Sequence, residues 1–337
     1  MKGFGAEWRD VPHFINGMTH EIWEARQIGS LRRRYAPGLI VRSPASVVVD
    51  SSGVIAATMA TLAELPDREL LGEDVIWCEV PDLATASSDA YLSSHRLVCT
   101  ATHTRPGVYG PATGRRLTYR ILADCFVRDD AVNDEWLVRD QSAIVKQLGH
   151  DVIDWTRGLI AREGGPSACV QPFTPAIDRP GPYAGRGNDN EWGQRFAETI
   201  GRIMAADLDV IPRDYDRGVN LFHPGGVDSV GWSAADQFWL GLRAAFPSAK
   251  FEIHHVIGRD DPLLPPRAAL RWSLSGRHSG WGRFGTPTQA EVHVMGMSHA
   301  EYGPFGQSGG PAIRREWTLI DETAIWKQIL LQTGGHE

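Results

Sequence analysis

Apolar positions along the chain change their period in a fixed order, and the order is run through twice. From Phe14 to Tyr35, Ile15, Met18, Ile22 and Ala25, then Leu31 and Tyr35, keep a helical spacing that Pro37-Gly38 stops. Leu39 to Val41 reads as a short strand, and a second helix is predicted from Val54 to Leu65, with Ile55, Met59 and Leu62 on one face and Pro66 ending it. Asp74 to Glu79 is strand-like. Long β runs follow at Tyr91–His103, Arg115–Arg128 and Glu135–Asp140, separated by the turn chemistries Arg105–Gly110 and Asp129–Asn133, so an antiparallel meander is expected. Residues 143–160 are mixed in character, helical from Val152 to Ile160. After the Gly- and Pro-rich stretch 161–190, Trp192, Phe196, Ile200 and Ile203 restart the helical pattern, and Phe238, Leu242, Ala245 and Phe246 continue it. Phe251–Ile257, Leu270–Arg277, Ala290–Tyr302 and Glu316–Asp321 complete the second set of strands.

The recurrence extends to identities. Glu135-Trp136, Asp140, Ala143-Ile144 and Lys146-Gln147 match Glu316-Trp317, Asp321, Ala324-Ile325 and Lys327-Gln328 at one offset of 181. Upstream, Arg96, His103, Gly107, Tyr109, Gly110 and Thr113 answer to Arg271, His278, Gly282, Phe284, Gly285 and Thr288 at an offset of 175. A unit of that length is a domain rather than a solenoid repeat. The expected organisation is a first domain over 1–160, a linker over 161–190 and a second domain over 191–337. Helices first and a meander afterwards is the order of an α+β domain. Long strands interrupted by glycines bend, and a bent sheet over a helix encloses a conical pocket.

Composition narrows the function classes. With 337 residues and 42% hydrophobic residues, the chain has length and core material for two domains. Its 34 basic and 41 acidic residues give a net charge of −7, and Arg32-Arg33-Arg34 beside an apolar stripe makes no nucleic-acid footprint. Cys78, Cys99, Cys125 and Cys169 show no paired spacing, which suits a reducing cytoplasm. No stretch reaches the ~18 apolar residues of a membrane span, and Met1–Asp10 has no apolar signal core, so no membrane association is expected.

Several residues could carry chemistry. Gly280-Trp281-Gly282-Arg283-Phe284-Gly285 spells a dinucleotide fingerprint, but strand lies on both sides of it, and a hairpin is the expected role. His103 and His278 end matching strands and could act as general bases or pin the turn that follows. Asp124 and His299 correspond in the middle strand of each meander, and Arg120 shares a face with Asp124, so the two could pair. Asp140 and Asp321 each share a strand face with a tryptophan, Trp136 and Trp317. If that face lines the cone, desolvation raises the carboxyl pKa toward the range useful for proton transfer; otherwise each aspartate caps the next turn. Glu135 and Glu316 fall on the opposite face and are expected at the surface or between sheets. No histidine pair has a metal-ligand spacing.

The first copy, Ser93-Ser94-His95-Arg96, Thr102-His103, Gly107-x-Tyr109-Gly110, Thr113-Gly114 and Glu135-Trp136 to Asp140, resembles the SnoaL-like polyketide cyclases of the nuclear-transport-factor-2-like superfamily. The second copy matches through Gly276-Arg277-His278, Gly282-x-Phe284-Gly285-x-Pro287-Thr288 and Glu316-Trp317 to Asp321. The resemblance implies two tandem cone-shaped α+β barrel domains and acid/base catalysis on a small hydrophobic carbonyl compound, without a metal or organic cofactor. The reaction would be of cyclase, isomerase or lyase type. It implies Asp140 and Asp321 as the acid/base groups, with His103 and His278 in support. Trp136, Trp317, Asp124, His299, Arg120, Tyr109 and Phe284 are then the expected substrate contacts. The alternative is a non-catalytic ligand-binding or assembly protein of the same fold. A small-molecule substrate is the expected partner, and a homodimer of pseudo-dimeric chains is left open.

Overall fold

The structure is a computed structural model that describes residues 1–307 and 309–334. In the first half, α1 (Val11–Thr19) is capped by Asp10, whose side chain accepts from His13 N, and it runs into a π-helical turn, His20–Glu24. The single helix expected from Phe14 to Tyr35 is broken: Arg26 takes a positive φ of 60°, and the chain resumes as the short α2 (Leu31–Arg34). Then come β1 (Ile40–Ser43), β2 (Ser46–Val49), α3 (Asp50–Glu64), β3 (Glu69–Glu79), β4 (Ala90–Thr102), β5 (Arg116–Arg128), β6 (Ala131–Arg139), α4 (Gln141–Gln147) and α5 (Val152–Arg162). The second half repeats this as α6 (Glu191–Met204), α7 (Val210–Asp214), β7 (Tyr215–His223), β8 (Val227–Val230), α8 (Trp232–Ala245), β9 (Lys250–Arg259), β10 (Arg267–Arg277), β11 (Glu291–Gly303), β12 (Ala312–Ile320) and α9 (Glu322–Thr333).

Each half forms a six-stranded sheet in the same order, β2-β1-β6-β5-β4-β3 and β8-β7-β12-β11-β10-β9. In both, the strand from the helical region joins the meander in parallel, β1 beside β6 and β7 beside β12, while the meander itself is antiparallel. The registers agree residue for residue: His95 faces Ala123 as Leu270 faces Ser298, and Ala123 faces Leu137 as Ser298 faces Thr318. Structural equivalence therefore follows the sequence offsets, and the fold is the doubled α+β cone expected.

The concave face of each sheet meets its own helices, and the outer faces of the two sheets press on each other. Ile76, Leu92, Leu122, Phe126 and Val138 of the first half meet Ile257, Ala269, Met295, Met297 and Leu319 of the second in one buried cluster. The residues between the halves show a pseudo-twofold. The Arg271 guanidinium lies 3.9 Å from the ring centre of Trp136, and its counterpart Arg96 lies 3.6 Å from that of Trp317. At the centre, fully buried Asp124 receives Arg271 Nε at 3.0 Å and has His255 Nδ1 at 3.0 Å, both from the other half. Its counterpart His299 holds Ser94 at 2.8 Å.

The stretch 161–190 is more than a tether. Phe173 and Tyr183 are buried in the same inter-sheet cluster, Tyr183 N donates to Asp134, and Gly187 bridges to Val256 of β9. Glycine and proline content does not show that two aromatics anchor the crossing. All four cysteines are free and buried. Among the described residues, no helix is long and apolar enough to cross a membrane.

Burial alone would push the Asp124 carboxyl up, but His255 and Arg271 outweigh it and hold it at about 2. Asp124→Ala leaves Arg271 buried without its carboxylate, and a loss of about 3–5 kcal/mol is expected in denaturant unfolding. Because the folded pKa is depressed, the stabilisation from Asp124 is complete above the ordinary carboxyl range near pH 4 and is lost as pH falls through about 2. The difference between wild type and Asp124→Ala should narrow over that interval.

Candidate functional site

The first-half cone encloses a cavity of about 280 Å³. Its floor is the concave face of β4, β5 and β6, which carries His95 and Leu97, then Ile121, Ala123 and Cys125, then Glu135, Leu137 and Arg139. Small α3 residues, Ala57, Thr58 and Thr61, form the lid with Val54; Met18, Trp23 and Tyr35 close one side, and the turn Ser43–Ser46 with Asp321 closes another. Apolar walls with a few convergent polar groups are the usual make-up of a small-molecule site.

Glu135 sets the electrostatics. Burial pushes its carboxyl up to about 7, with Asp134 adding to the rise and a hydrogen bond from Tyr35 opposing it. Its Oε2 has no hydrogen-bond partner. On the neighbouring strand, burial brings His95 down to about 4, against the pull of Asp124, and its Nδ1 is unpartnered. Asp321 reaches the cavity from the other half. Burial pushes it up to about 6, opposed by Thr323 and Ala324 and reinforced by Asp140. All three bonds it accepts, from Thr323 N, Thr323 Oγ1 and Ala324 N, fall on Oδ1.

The strand faces are the reverse of the assignment made for Trp136 and Trp317. Both tryptophans point at the opposite sheet, where Arg271 and Arg96 cover them, and neither lines the cavity. Glu135, expected at the surface or between sheets, faces the cone instead, because the outer face is taken up by the other half. Asp140 caps α4 and ties the halves together: it accepts from Ala143 N at 3.1 Å, Gly225 N at 2.8 Å and Gly226 N at 2.9 Å. Asp321 likewise caps α9, but borders the first-half cavity rather than bulk water. Asp124 and His299 lie between the sheets. Arg120 pairs with Glu73 and Asp228 rather than with Asp124.

The histidines sit in the hairpins. His103 lies between Thr113 and Glu64, each at 3.1 Å, and Glu64 also accepts from Val108 N and Tyr109 N. His278 repeats the contact with Thr288 at 3.1 Å, packed against Phe246 and Phe284. Neither lines the cavity; Tyr109 stacks on Trp155, and Phe284 packs on Phe246 and Trp326. The hairpin glycines are needed where they stand. Gly110 and Gly285 take positive φ, while a Cβ on Gly107 would meet Glu64 and one on Gly282 would meet the α8 backbone. The Gly280–Gly285 fingerprint is thus a hairpin pressed against a helix. Among the described residues, no group of three or more His, Cys, Asp or Glu is placed to hold a metal ion.

The second-half cone has the same frame and a filled interior. Where the first half has Leu97, Thr58 and Ala57, the second has Trp272, Trp239 and Phe238, with ring centroids 6.0 Å and 4.9 Å apart in sequence of contact. Gly296 replaces Ile121, and a Cβ there would run into the Trp272 indole. Glu316, the counterpart of Glu135, is saturated: it accepts from Tyr215 Oη, from Thr318 Oγ1 at 2.6 Å, and lies 3.3 Å from His223 Nε2. One carboxylate is a structural hub, and the other is left with an unpartnered oxygen. If these aromatics are what close the cone, Leu97→Trp with Ile121→Gly should fill the first cavity as in the second half. The expected result is loss of apolar-dye uptake in fluorescence titration, with no fall in thermal midpoint.

A family model for the SnoaL-like domain matches residues 194–302. Comparison with curated proteins found no match. Among solved structures, IdmH of Streptomyces antibioticus, a candidate polyketide cyclase, is similar at 23% identity and TM-score 0.34, over 41% of this chain and 97% of its own. A candidate SnoaL-like polyketide cyclase from Jannaschia is similar at 15% identity and TM-score 0.35, over 42% and 96%. TsrD of Streptomyces laurentii is similar at 19% identity and TM-score 0.34, over 41% and 94%. Residues 194–302 thus match the SnoaL-like domain, and the first half of the chain repeats the topology of the second.

Proposed function

We propose that the first-half cone catalyses acid/base chemistry of cyclase, isomerase or lyase type on a small hydrophobic carbonyl compound, with Glu135 as the base. The observation that carries this reading is a buried carboxyl in an open apolar chamber, held at about 7 by burial. A base so placed changes protonation near neutral pH, where proton transfer is most efficient. Glu135 takes a proton from the carbon next to the substrate carbonyl, and the C–H electron pair moves into an enolate. That enolate attacks a second carbonyl or is reprotonated elsewhere, and the proton returns from a carboxylic acid. Asp321, at about 6 on the cavity wall, is the second group able to supply it. Such proton transfers need no organic cofactor and no metal.

The second half has a different part. Its cone is filled by Phe238, Trp239 and Trp272, so the non-catalytic reading suits it. It covers the outer face of the first sheet and lends Asp321 to the cavity.

Hydrogen–deuterium exchange at the α-carbon of β-tetralone, followed by NMR, tests the assignment. The rate catalysed by the wild type should rise with pH and level off above about 7, and Glu135→Gln should lower it by about 10²–10⁴-fold. Undiminished exchange in Glu135→Gln would remove Glu135 as the base. Stability supplies an independent reading of the same group. Its folded pKa is raised, so its favourable contribution is present below the ordinary carboxyl range and is lost as pH rises through about 7. Glu135→Gln should therefore gain in thermal midpoint relative to wild type between pH 5 and pH 8.

A further inference from the structure

The cavity has a second polar end. Arg68, from the residues leading into β3, and Arg139, at the end of β6, both line it. Arg68 is buried, and the Nε of each guanidinium has no hydrogen-bond partner. Neither arginine has an ion pair among the described residues. The ionisable groups acting on Arg68 are Tyr119, Cys99 and Tyr109, and the first two also hydrogen-bond it as neutral partners. Burial pushes all three up, which keeps them neutral and leaves the guanidinium without a counter-charge. Arg139 converges on Tyr119 and Cys99 as well. Asp321, the carboxyl on the same wall, is engaged by Thr323 and Ala324.

A buried charge without a counter-charge costs several kcal/mol, and interiors otherwise pair such groups. The twin half shows what the fold places at these positions when no cavity is present: Ala249 stands for Arg68 and Ile320 for Arg139. Both are buried and apolar. The two cations occur together with the open chamber, and disappear with it. The missing counter-charge is then one that a ligand brings.

We infer that the ligand of the first-half cavity is an amphipathic carboxylic acid, its carboxylate held by Arg68 and Arg139 and its apolar body lying along Leu97, Ile121 and Leu137. A planar carboxylate suits the guanidinium fork, and one charge is easier to desolvate in an apolar chamber than the two of a phosphate. Arg139 lies four positions beyond Glu135 on β6, about 13 Å of extended strand. The body of the ligand spans that distance. Under the acid/base reading the substrate becomes a carbonyl acid whose reacting carbon lies at Glu135, far from its carboxylate. The binding inference itself does not depend on Glu135 being a base.

Isothermal titration with ω-phenylalkanoates, from phenylbutanoate to phenyloctanoate, and with their methyl esters tests it. The acids should bind wild type about tenfold or more tighter than the esters, and Arg68→Met should abolish that preference. Without ligand, Arg68→Met should have a raised thermal midpoint, because an unpaired buried charge has been replaced by an apolar chain of similar length. A structural role for Arg68 would lower it. Arg139→Met, at a half-buried site, gives the same binding comparison if Arg68→Met does not fold. Esters binding as well as acids, no binding of either series, or a preference that survives in both arginine variants would overturn the inference. Glu135→Gln should keep the preference for acids. Loss of α-carbon exchange with that preference intact supports both readings, and loss of exchange with no preference in wild type sinks this one alone.

Discussion

The outer face of each curved sheet is apolar and would be exposed in an isolated cone, and the halves cover it for each other. That single burial fixes most of what surrounds it. It turns Trp136, Trp317, Asp124 and His299 toward the opposite sheet, and with them the arginines that neutralise or cover them. It leaves the concave face as the place where a side chain can meet a small molecule. Residue types that invite a catalytic reading, an aspartate, a histidine and two tryptophans, are engaged in joining the halves. The interior charge pair of Asp124 with Arg271 joins the halves, and removing either partner would leave the other charge buried and uncompensated.

Once the halves support each other, they need not both keep a cavity. The substitutions that separate the cones lie at equivalent places, among them Leu97 against Trp272, Thr58 against Trp239, Ile121 against Gly296 and Arg139 against Ile320. Each changes volume or charge inside the cone and leaves the backbone frame unaltered. Trp272 over Gly296 shows how such filling is accommodated, one large ring where the facing residue has no side chain. Glu316 keeps its carboxylate because Tyr215, Thr318 and His223 surround it, whereas Glu135 has only Tyr35. The same residue in the same frame thus serves structure in one half and keeps an unpartnered oxygen in the other.

Much of the fold could be read from the sequence. Helical and alternating periods, together with the offsets of 181 and 175, identify the doubled domain and its meanders, because those patterns follow directly from backbone geometry. A strand is legible at Leu39–Val41, but its hairpin partner β2 and the β7–β8 hairpin escape, since their residues are not distinctive, and so do the parallel pairings of β1 with β6 and β7 with β12, which are long-range. The site was less legible. Along β6 both faces are buried, one by the cone and one by the other half, so alternation separates Trp136 from Glu135 without saying which faces the cavity. The usable signal lay in the differences between the copies: a threonine against a tryptophan, an arginine against an isoleucine. Those differences mark a chamber, and identities between the copies mark the shared frame.

The central claim is that one cone is open and its twin is filled. A crystal structure under xenon pressure tests it without any assumption about substrate, because xenon enters apolar cavities and avoids close-packed cores. Xenon is expected among Leu97, Ile121 and Leu137 in the first half, and none among Phe238, Trp239 and Trp272 in the second. Xenon in the second-half core, or a first-half cone that takes up none, would contradict it.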